Sequence, residues 1–319
     1  MTLEEFFYNH YWPLKTSTLR ECTLAGYESA WRVHIEPNFG TWELDTIKAR
    51  EIEQWFLTFK TPGAARKAWA VLRTILRTAV RYEYLEVDPT QKVVEVPKRE
   101  KYIAPTLSKD EVYKLLEGMK GSLLEEWVLV AATTGLRKEE SAALLWSDID
   151  LETGAIIVNK GVQWIKGREI INPPKTLMSY RTVYLPDFAR KRLKVLYETM
   201  KYTPDSRLIG KIHVGKLTPH FKSECRKRNL PYVPPRCLRH TWATIALAEG
   251  VPISIVSRCL GHYDVSTTAR YYISPKKEDL IFASKTYNDI FEAMMRPCVR
   301  QKQEIQQSLD LLDHIKDLF

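Results

Sequence analysis

A charged, proline-containing stretch between residues 89 and 105 places the strongest constraint on how this chain can fold. After Asp88-Pro89 the sequence reads TQKVVEVPKREKYIAP, with two more prolines, alternating charge and no helical period. Such a stretch interrupts helices and is typical of an extended linker. Helical patterns lie on both sides of it. We therefore expect the 319 residues to form two domains.

The composition excludes several classes of protein. Hydrophobic residues make up 45% of the sequence and charged residues 27%, which is ordinary for a globular protein and excludes a disordered or fibrous one. No stretch reaches the roughly 18 uninterrupted apolar residues of a membrane span, and the opening MTLEEFFYNH does not resemble a signal peptide. We therefore expect a cytoplasmic protein with no membrane partner.

The cysteines predict neither a disulfide framework nor a metal site. There are five of them, scattered and without a C-x-x-C pair. They are Cys22, Cys225, Cys237, Cys259 and Cys298. Reduced thiols and no bound metal are the expectation.

The net charge of +9 is concentrated in one part of the chain. Residues 1–100 hold 14 Lys/Arg and 14 Asp/Glu, whereas residues 151–240 hold 19 Lys/Arg and 6 Asp/Glu. Such a concentration favours a polyanionic partner. The alternative, cations that only keep the surface solvated, stays open on charge alone.

The first domain is predicted to contain four helices, over 2–13, 21–36, 48–60 and 63–82. In the last of these, apolar residues recur at helical spacing and the cations fall on a different face, with no acid among them. We expect that basic face to lie along DNA phosphates, with a merely solvated face as the alternative. Its cations are Arg66, Lys67, Arg73, Arg77 and Arg81.

The second domain is predicted to begin near residue 106. Thr106 or Ser108 can cap a helix whose first turn is acidic. Buried helices are expected over 123–134 and 136–146, a small sheet of three strands around 155–185, and further helices from about 187. The predicted fold is therefore mostly α with a small β-sheet.

A short motif at the start of one of these helices carries an arginine and an acid. In Thr134-Gly135-Leu136-Arg137-Lys138-Glu139-Glu140, a glycine turn precedes the arginine and an acid follows three residues later. Glu140 can brace the Arg137 guanidinium, and a helix N-terminus favours anions, so the pair suits a phosphate. Alone, the motif is more typical of a structural ion pair.

Further motifs follow in a fixed order. They are P-K-T-x-x-S-x-R ending at Arg181, then L-R-H-T containing Arg239, then L-G-H ending at His262, and then Tyr271. Together with T-G-L-R-x-x-E, this order resembles the tyrosine recombinase, or phage integrase, family. The resemblance extends over nearly the whole chain.

The resemblance implies a role for each matching residue. Arg137 and Arg239 would clamp the scissile phosphate, Lys175 would be the β-hairpin lysine that protonates the leaving 5′ oxygen, and Tyr271 would be the nucleophile. His262 would be the third-position histidine. Two planar guanidinium forks and an imidazole can neutralise a pentacoordinate phosphorane without a metal. Because the 3′-phosphotyrosine retains the bond energy, no cofactor and no ATP are expected.

One position departs from the family pattern. The family usually has histidine where this chain has Arg236, and arginine cannot accept a proton from tyrosine. Type IB topoisomerases have a lysine at the equivalent place, so a cation there is compatible with the chemistry. We expect Arg236 to act electrostatically, with His262 or a water taking the proton.

Neighbouring residues receive lesser roles. His240 is expected to hold the residues that contact the phosphate, or to cap a helix, rather than to take part in catalysis directly. Glu140 is likewise expected to hold Arg137 in place. Lys160 and Lys166 lie near the predicted hairpin and are expected to contact the DNA backbone. Tyr272 points about 100° away from its neighbour on a helix and is expected to pack.

The resemblance also predicts the architecture. Residues 1–90 would be a SAM-like helical bundle that binds core DNA, 91–105 a linker, 106–290 a mixed α/β catalytic domain, and 291–319 a tail helix. The two domains would clamp duplex DNA, and the tail would dock on a neighbouring protomer in a tetramer, although it could instead cover its own domain. A directionality factor or a host bending factor is a further expected partner, and localisation would be with the nucleoid.

The predicted activity is site-specific recombination that integrates and excises a phage or other mobile element. An Xer-like resolvase is the alternative within the family. A DNA-binding regulator that has lost catalysis and a topoisomerase that only relaxes DNA are alternatives from other classes.

Overall fold

The computed structural model describes residues 1–98, 103–174, 177–262 and 264–272. Met1–Tyr263 forms one compact unit, and a second begins at Asp264. The helices are α1 (Leu3–Phe6), α2 (Trp12–Thr18), α3 (Glu21–Ala30), α4 (Glu36–Phe39), α5 (Ala49–Phe56), α6 (Pro62–Arg81), α7 (Lys109–Gly118), α8 (Glu125–Thr133), α9 (Lys138–Ser141), α10 (Asp187–Met200), α11 (Val214–Lys227), α12 (Pro235–Ala248), α13 (Ile253–Leu260) and α14 (Val265–Tyr272). The strands are β1 (Ala155–Val158), β2 (Gly161–Ile165), β3 (Arg168–Asn172) and β4 (Arg181–Tyr184).

The four predicted N-terminal helices are present, and the first two are longer than predicted. A π-helical turn, Phe7–Tyr11, joins α1 to α2, and another, Trp31–Ile35, joins α3 to α4. Pro37, one residue past the predicted end of the second helix, lies inside the first turn of α4. A proline lacks an N–H to donate, and the changed hydrogen-bond pattern of the preceding π turn accommodates this loss.

Helix α6 has the two faces that its sequence predicts. Thr61 caps it by accepting a hydrogen bond from the Ala64 amide at 3.3 Å, and Pro62 occupies its first turn. One face is buried in a core built largely from aromatic side chains of the other N-terminal helices. The five cations of the predicted DNA-binding set are all exposed on the other face.

The first helix after the linker stretch, α7, begins where the sequence predicts. Ser108 accepts a hydrogen bond from the Glu111 amide at 3.2 Å, while the Glu111 carboxylate accepts one from the Ser108 amide at 2.8 Å. Helix α8 is buried, but α9 is a single turn rather than the predicted 136–146. The shortening has a local cause: the Asp148 carboxylate accepts a hydrogen bond from the Leu145 amide at 2.8 Å and starts a 3₁₀ turn.

The prediction of one three-stranded sheet is wrong. The described residues contain two separate antiparallel pairs: β1 with β4, where Ala155 lies opposite Tyr184, and β2 with β3, where Gly161 lies opposite Asn172. The β2–β3 hairpin closes on Lys166-Gly167, both with positive φ, as a tight two-residue hairpin turn requires. This hairpin lies between β1 and β4 in sequence, so β1 pairs with a distant strand.

Separate hydrophobic cores form before and after the linker stretch. One contains buried residues from Leu3 to Leu85, and two others lie between Leu107 and Leu238. The exact domain boundaries stay a prediction, and the predicted tail at 291–319 lies outside the described residues. Within the described part, no helix combines the length and apolarity needed to cross a membrane.

Candidate active site

A glycine turn brings Arg137 to its position at the start of α9. Gly135 has φ +67°, and a Cβ placed there would lie 2.5 Å from Cε3 of the Trp242 ring. Only glycine fits both the left-handed backbone and the close approach of the indole. The chain therefore turns at Gly135, against the Trp242 ring, and places Arg137 at the N-cap position of α9.

The Arg137 guanidinium is held by an acid and a backbone carbonyl. Its Nη1 donates to Glu140 Oε1 at 2.6 Å, and its Nη2 donates to the Gly261 carbonyl at 3.3 Å. The Glu140 carboxylate also accepts a hydrogen bond from the Arg137 amide at 2.8 Å. The carboxylate therefore fixes both the start of α9 and the direction of the arginine fork.

Arg239 joins the same cluster from α12. Its side chain is buried; Nη1 donates to the Gly135 carbonyl at 3.0 Å, and Nη2 lies 2.8 Å from Nε2 of His262. A guanidinium only donates, so His262 Nε2 accepts, and the neutral ring carries its proton on Nδ1. Arg239 is therefore linked to Arg137 through the glycine turn that precedes Arg137, and to His262 through a direct hydrogen bond.

Burial and positive charge keep the two histidines of this cluster neutral. Burial lowers the pKa of His262 to about 4, with Arg239, Arg137, Arg181 and His240 adding repulsion of a proton. Burial likewise lowers the pKa of His240, with help from Arg239. His262 is therefore a hydrogen-bonding group at neutral pH rather than a cation.

The acid of the cluster stays ionised. Burial by itself raises the pKa of the Glu140 carboxyl, but hydrogen bonds and charge from Arg181, followed by the charge of Arg137, lower it to about 2. A buried carboxylate with two guanidinium partners is compensated and remains an anion over the physiological range.

Arg181 is a member of this cluster to which the sequence analysis gave no role. Its Nη1 and Nη2 donate to the two oxygens of Glu140 at 3.1 and 2.8 Å, and its Nε donates to the Cys259 carbonyl at 2.6 Å. The available signal was its place as the last residue of the P-K-T-x-x-S-x-R motif. The motif showed that an arginine stands there, but not that it meets Glu140.

The other predicted site residues are placed as follows. Arg236 lies in the first turn of α12, exposed, one turn before Arg239. Lys175 lies outside the described residues. Tyr271 belongs to α14, which begins after Asp264 accepts a hydrogen bond from the Ser266 amide at 2.8 Å, and the Tyr271 side chain is outside the described part.

Several predicted DNA-binding cations have protein partners. Lys160 pairs with Asp148 at 2.6 Å, and Lys166 pairs with Glu28. On α6, Arg77 pairs with Asp88 at 3.2 Å. Arg66 donates to the Pro97 carbonyl at 2.9 Å, so this cation of α6 contacts the linker stretch.

Comparison with known families decides the identity of this fold. The phage integrase family pattern matches residues 105–279, and the pattern of the phage integrase N-terminal SAM-like domain matches residues 2–58. The chain belongs to the phage integrase family. This confirms the predicted family, the mostly α fold with an N-terminal SAM-like domain and a catalytic domain, and the predicted class of enzyme, a site-specific tyrosine recombinase. The roles of individual residues stay predictions.

Relatives of this phage integrase family member include proteins named tyrosine recombinases and proteins named integrases. A tyrosine recombinase XerC-like protein of Caldanaerobacter subterraneus subsp. tengcongensis is 28% identical, over 91% of this chain and 84% of its own. The ICEBs1 integrase of Bacillus subtilis is 27% identical, over 77% of this chain and 72% of its own.

Solved structures share the fold. The Tn1549 transposon integrase in complex with transposon right-end DNA has a TM-score of 0.77 at 17% identity and covers 90% of this chain and 100% of its own. A lambda integrase dimer bound to a core site has a TM-score of 0.66 at 18% identity and covers 87% of this chain and 97% of its own. At these identities the likeness is one of fold.

Proposed function

We propose that this integrase inserts and excises a mobile element by cutting and rejoining duplex DNA through a 3′-phosphotyrosine on Tyr271. The observation that carries the proposal is the cluster of Arg137, Arg239 and His262 around one glycine turn. Two fixed forks and a neutral imidazole are the groups that a metal-free phosphoryl transfer needs at the phosphate. Duplex DNA is the partner, which supports a location with the nucleoid.

In the proposed reaction the Tyr271 oxygen attacks the scissile phosphorus and the bond to the 5′ oxygen breaks. Arg137 and Arg239 offset the charge that develops on the nonbridging oxygens, and Lys175 gives its proton to the leaving 5′ oxygen. The phenolic proton leaves to water, because Arg236 cannot accept it and His262 Nε2 already accepts from Arg239. Attack by another 5′-hydroxyl reverses these steps and joins the new strand.

A resolvase is the second candidate, because the XerC-like relative aligns with most of this chain. One observation favours the mobile-element assignment: the relative named ICEBs1 integrase. Recombination assays on plasmids separate the two. An integrase joins the two ends of an element and restores the target, whereas a resolvase recombines two copies of one chromosomal site.

The chemistry is tested by trapping the covalent intermediate. Purified protein is incubated with nicked duplexes drawn from the DNA that flanks its gene and is run on a denaturing gel beside Tyr271→Phe and Tyr272→Phe. We expect a covalent band from the wild type and from Tyr272→Phe and none from Tyr271→Phe. Loss only with Tyr272→Phe would move the nucleophile by one residue, and binding without any band would favour a catalytically silent protein.

The proposed assembly is a tetramer on DNA in which the tail reaches a neighbouring protomer. Truncation after Arg296 tests it: the shortened protein should bind a single half-site with unchanged affinity but fail to form tetramers on a four-way junction. Light scattering or native gels measure the assembly. Intact tetramers and intact recombination from the truncated protein would contradict an exchanged tail, and retained tetramers without recombination would assign the tail to coupling rather than assembly.

A further inference from the structure

Arg181 is a deeply buried arginine of the cluster. Its side chain is 6% exposed, and the carboxylate that it binds, Glu140, is 8% exposed. Both of its terminal nitrogens meet the two Glu140 oxygens in a fork-to-fork arrangement, while Nε holds the Cys259 carbonyl. A second bond from Nη1 reaches the Ser179 carbonyl at 3.2 Å. One guanidinium therefore binds α9, the C-terminal end of α13 and the 3₁₀ turn that precedes its own strand, β4.

The fit around this guanidinium is tight on the side of α13. Gly261 follows that helix with φ +67°, and a Cβ at this position would lie 3.1 Å from Nη1 of Arg181. The glycine both ends the helix in a left-handed turn and leaves room for the planar fork. The next residue is His262, so the turn that Arg181 packs against is the turn that aims the histidine.

Arg181 and Arg137 share one acid. Glu140 Oε1 accepts from Nη1 of both arginines, at 3.1 Å from Arg181 and 2.6 Å from Arg137. Arg137 also donates to the Gly261 carbonyl, on the turn that Arg181 supports. The two anchors of Arg137 are thus the two groups that Arg181 holds in place.

We propose that Arg181 is a positioning residue for strand cleavage, which fixes the Glu140 carboxylate and the turn before His262 so that Arg137 and His262 meet the same phosphate. Arg181 itself, buried behind Glu140, binds the acid and does not need to touch DNA. The inference rests on the proposed function, since it assigns a part in that reaction. If so, the rate of strand cleavage depends on the planar geometry of the Arg181 guanidinium and not only on its charge.

The variants separate fork geometry from charge. Arg181→Lys keeps a cation but replaces the three nitrogens that bind the two Glu140 oxygens and the Cys259 carbonyl with a single one, whereas Arg181→Gln removes the charge as well. Arg190→Lys is the matched control, because Arg190 also binds a carboxylate, Asp187, and two backbone carbonyls, at a distance from the cluster.

The first measurement is single-turnover cleavage of a nicked duplex at saturating DNA, together with Kd for the same duplex and Tm of the free protein. We expect Arg181→Lys to cleave about 10- to 100-fold more slowly, because the phosphate-binding groups lose their alignment, with Kd changed less than about threefold. Arg190→Lys should cleave at the wild-type rate. Cleavage at the wild-type rate by Arg181→Lys would overturn the proposal. So would a result in which Arg181→Lys and Arg190→Lys lose cleavage to the same extent and the loss parallels the changes in Kd and Tm.

The second measurement uses the protein without DNA. Imidazole signals in NMR, assigned with His262→Gln, report the titration of His262, which faces Arg239, Arg137, Arg181 and His240. Removing one of these cations in Arg181→Gln should raise the midpoint, while Arg181→Lys should leave it near the wild-type value. An unmoved midpoint in Arg181→Gln would contradict the proposed packing. If the midpoint moves but the wild type never forms a covalent adduct, the packing holds and the proposed function fails.

Discussion

Two groups of cations in this integrase are built in opposite ways. The guanidinium groups of Arg181 and Arg239 are buried, and each is held by hydrogen bonds to fixed carboxylate, carbonyl or imidazole groups. The cations of α6 and of the β2–β3 hairpin are exposed, and their ion pairs leave the cationic side chain open to solvent. The first group can lower the free energy of the transition state, because its donors are already in position. The second group attracts the DNA backbone, and salt weakens this attraction because other anions compete for the same cations.

This difference predicts which measurement each group controls. A preorganised donor acts on the cleavage rate, because its position relative to the phosphate is already set. An exposed cation acts on DNA affinity and on its dependence on salt, because it exchanges one set of counterions for another. Substitutions in the two regions should therefore separate rate from affinity.

The largest effect is expected in the buried group. Arg239→Lys removes the planar fork that binds both the Gly135 carbonyl and His262, and we expect cleavage at saturating DNA to fall by about 10²- to 10³-fold. Single-turnover kinetics on a nicked duplex measure it. Kd for the same duplex should change far less. A loss of affinity as large as the loss of rate would remove the distinction between the two groups.

Stability provides the next test. Glu140→Gln leaves Arg137 and Arg181 without their anion, and we expect a loss of about 3 kcal/mol in the free energy of unfolding at pH 7. The pKa of Glu140 is lowered to about 2 in the folded protein, so its contribution is complete above the unfolded value near 4.5 and is lost as the pH falls towards 2. Denaturant unfolding at several pH values checks both points.

The pH series also contains its own control. The difference between wild type and Glu140→Gln should be constant from pH 8 to 5 and should narrow below about pH 4.5, where the unfolded carboxyl takes up its proton. A difference that widens on acidification would mean that the carboxyl is already protonated in the folded cluster.

Local sequence signals predicted much of this structure. Ser108 as a helix cap, the two faces of α6 and the arginine that follows Gly135 all depend on residues within a turn or two of each other. Such patterns can be found without knowing the fold. The order of the motifs along the chain then indicated the tyrosine recombinase family.

The contacts that the sequence did not reveal join residues far apart in the chain. Arg181 meets Glu140 across the whole β2–β3 hairpin, and β1 finds its partner in β4 only because that hairpin pairs with itself. Lys166 and Glu28 were each assigned by local composition, as a DNA contact and as a residue of a helix. They pair because α3 and the hairpin turn lie close together in the fold, and a count of charges along the sequence does not show which segments are neighbours.

A smaller effect is expected on α6. Among the described residues Arg73 is exposed and has no ion pair, whereas Arg77 binds the nearly buried Asp88. Arg73→Gln should lower the slope of log Kd against log salt by about 0.9, as expected for the loss of one phosphate contact. Arg77→Gln should change the slope less but lower Tm. Fluorescence anisotropy from 50 to 300 mM salt measures the slopes, and equal slopes for the two variants would show that pairing with Asp88 does not matter.

The smallest effect should have the opposite sign. Glu28, on α3, accepts from Lys166 at the hairpin turn, and the side chain of Glu28 is 20% exposed. A DNA phosphate can replace this carboxylate, so Glu28→Gln should free the hairpin cation and tighten DNA binding. An exposed pair contributes about 0.2–1 kcal/mol, which limits the gain in Kd to about fivefold.

Glu224→Gln separates this competition from a simple change in net charge. Glu28 binds Arg32 as well as Lys166. Glu224 is also 20% exposed and also binds two cations, Lys227 and Arg228, but these lie at the end of its own helix rather than on the hairpin. If both glutamine variants tighten binding equally, the added charge alone explains the gain. If only Glu28→Gln does so, the exposed pairs between α3 and the hairpin compete with DNA. Cleavage at saturating DNA should be unchanged in both variants, because neither acid touches the buried arginines that set the rate.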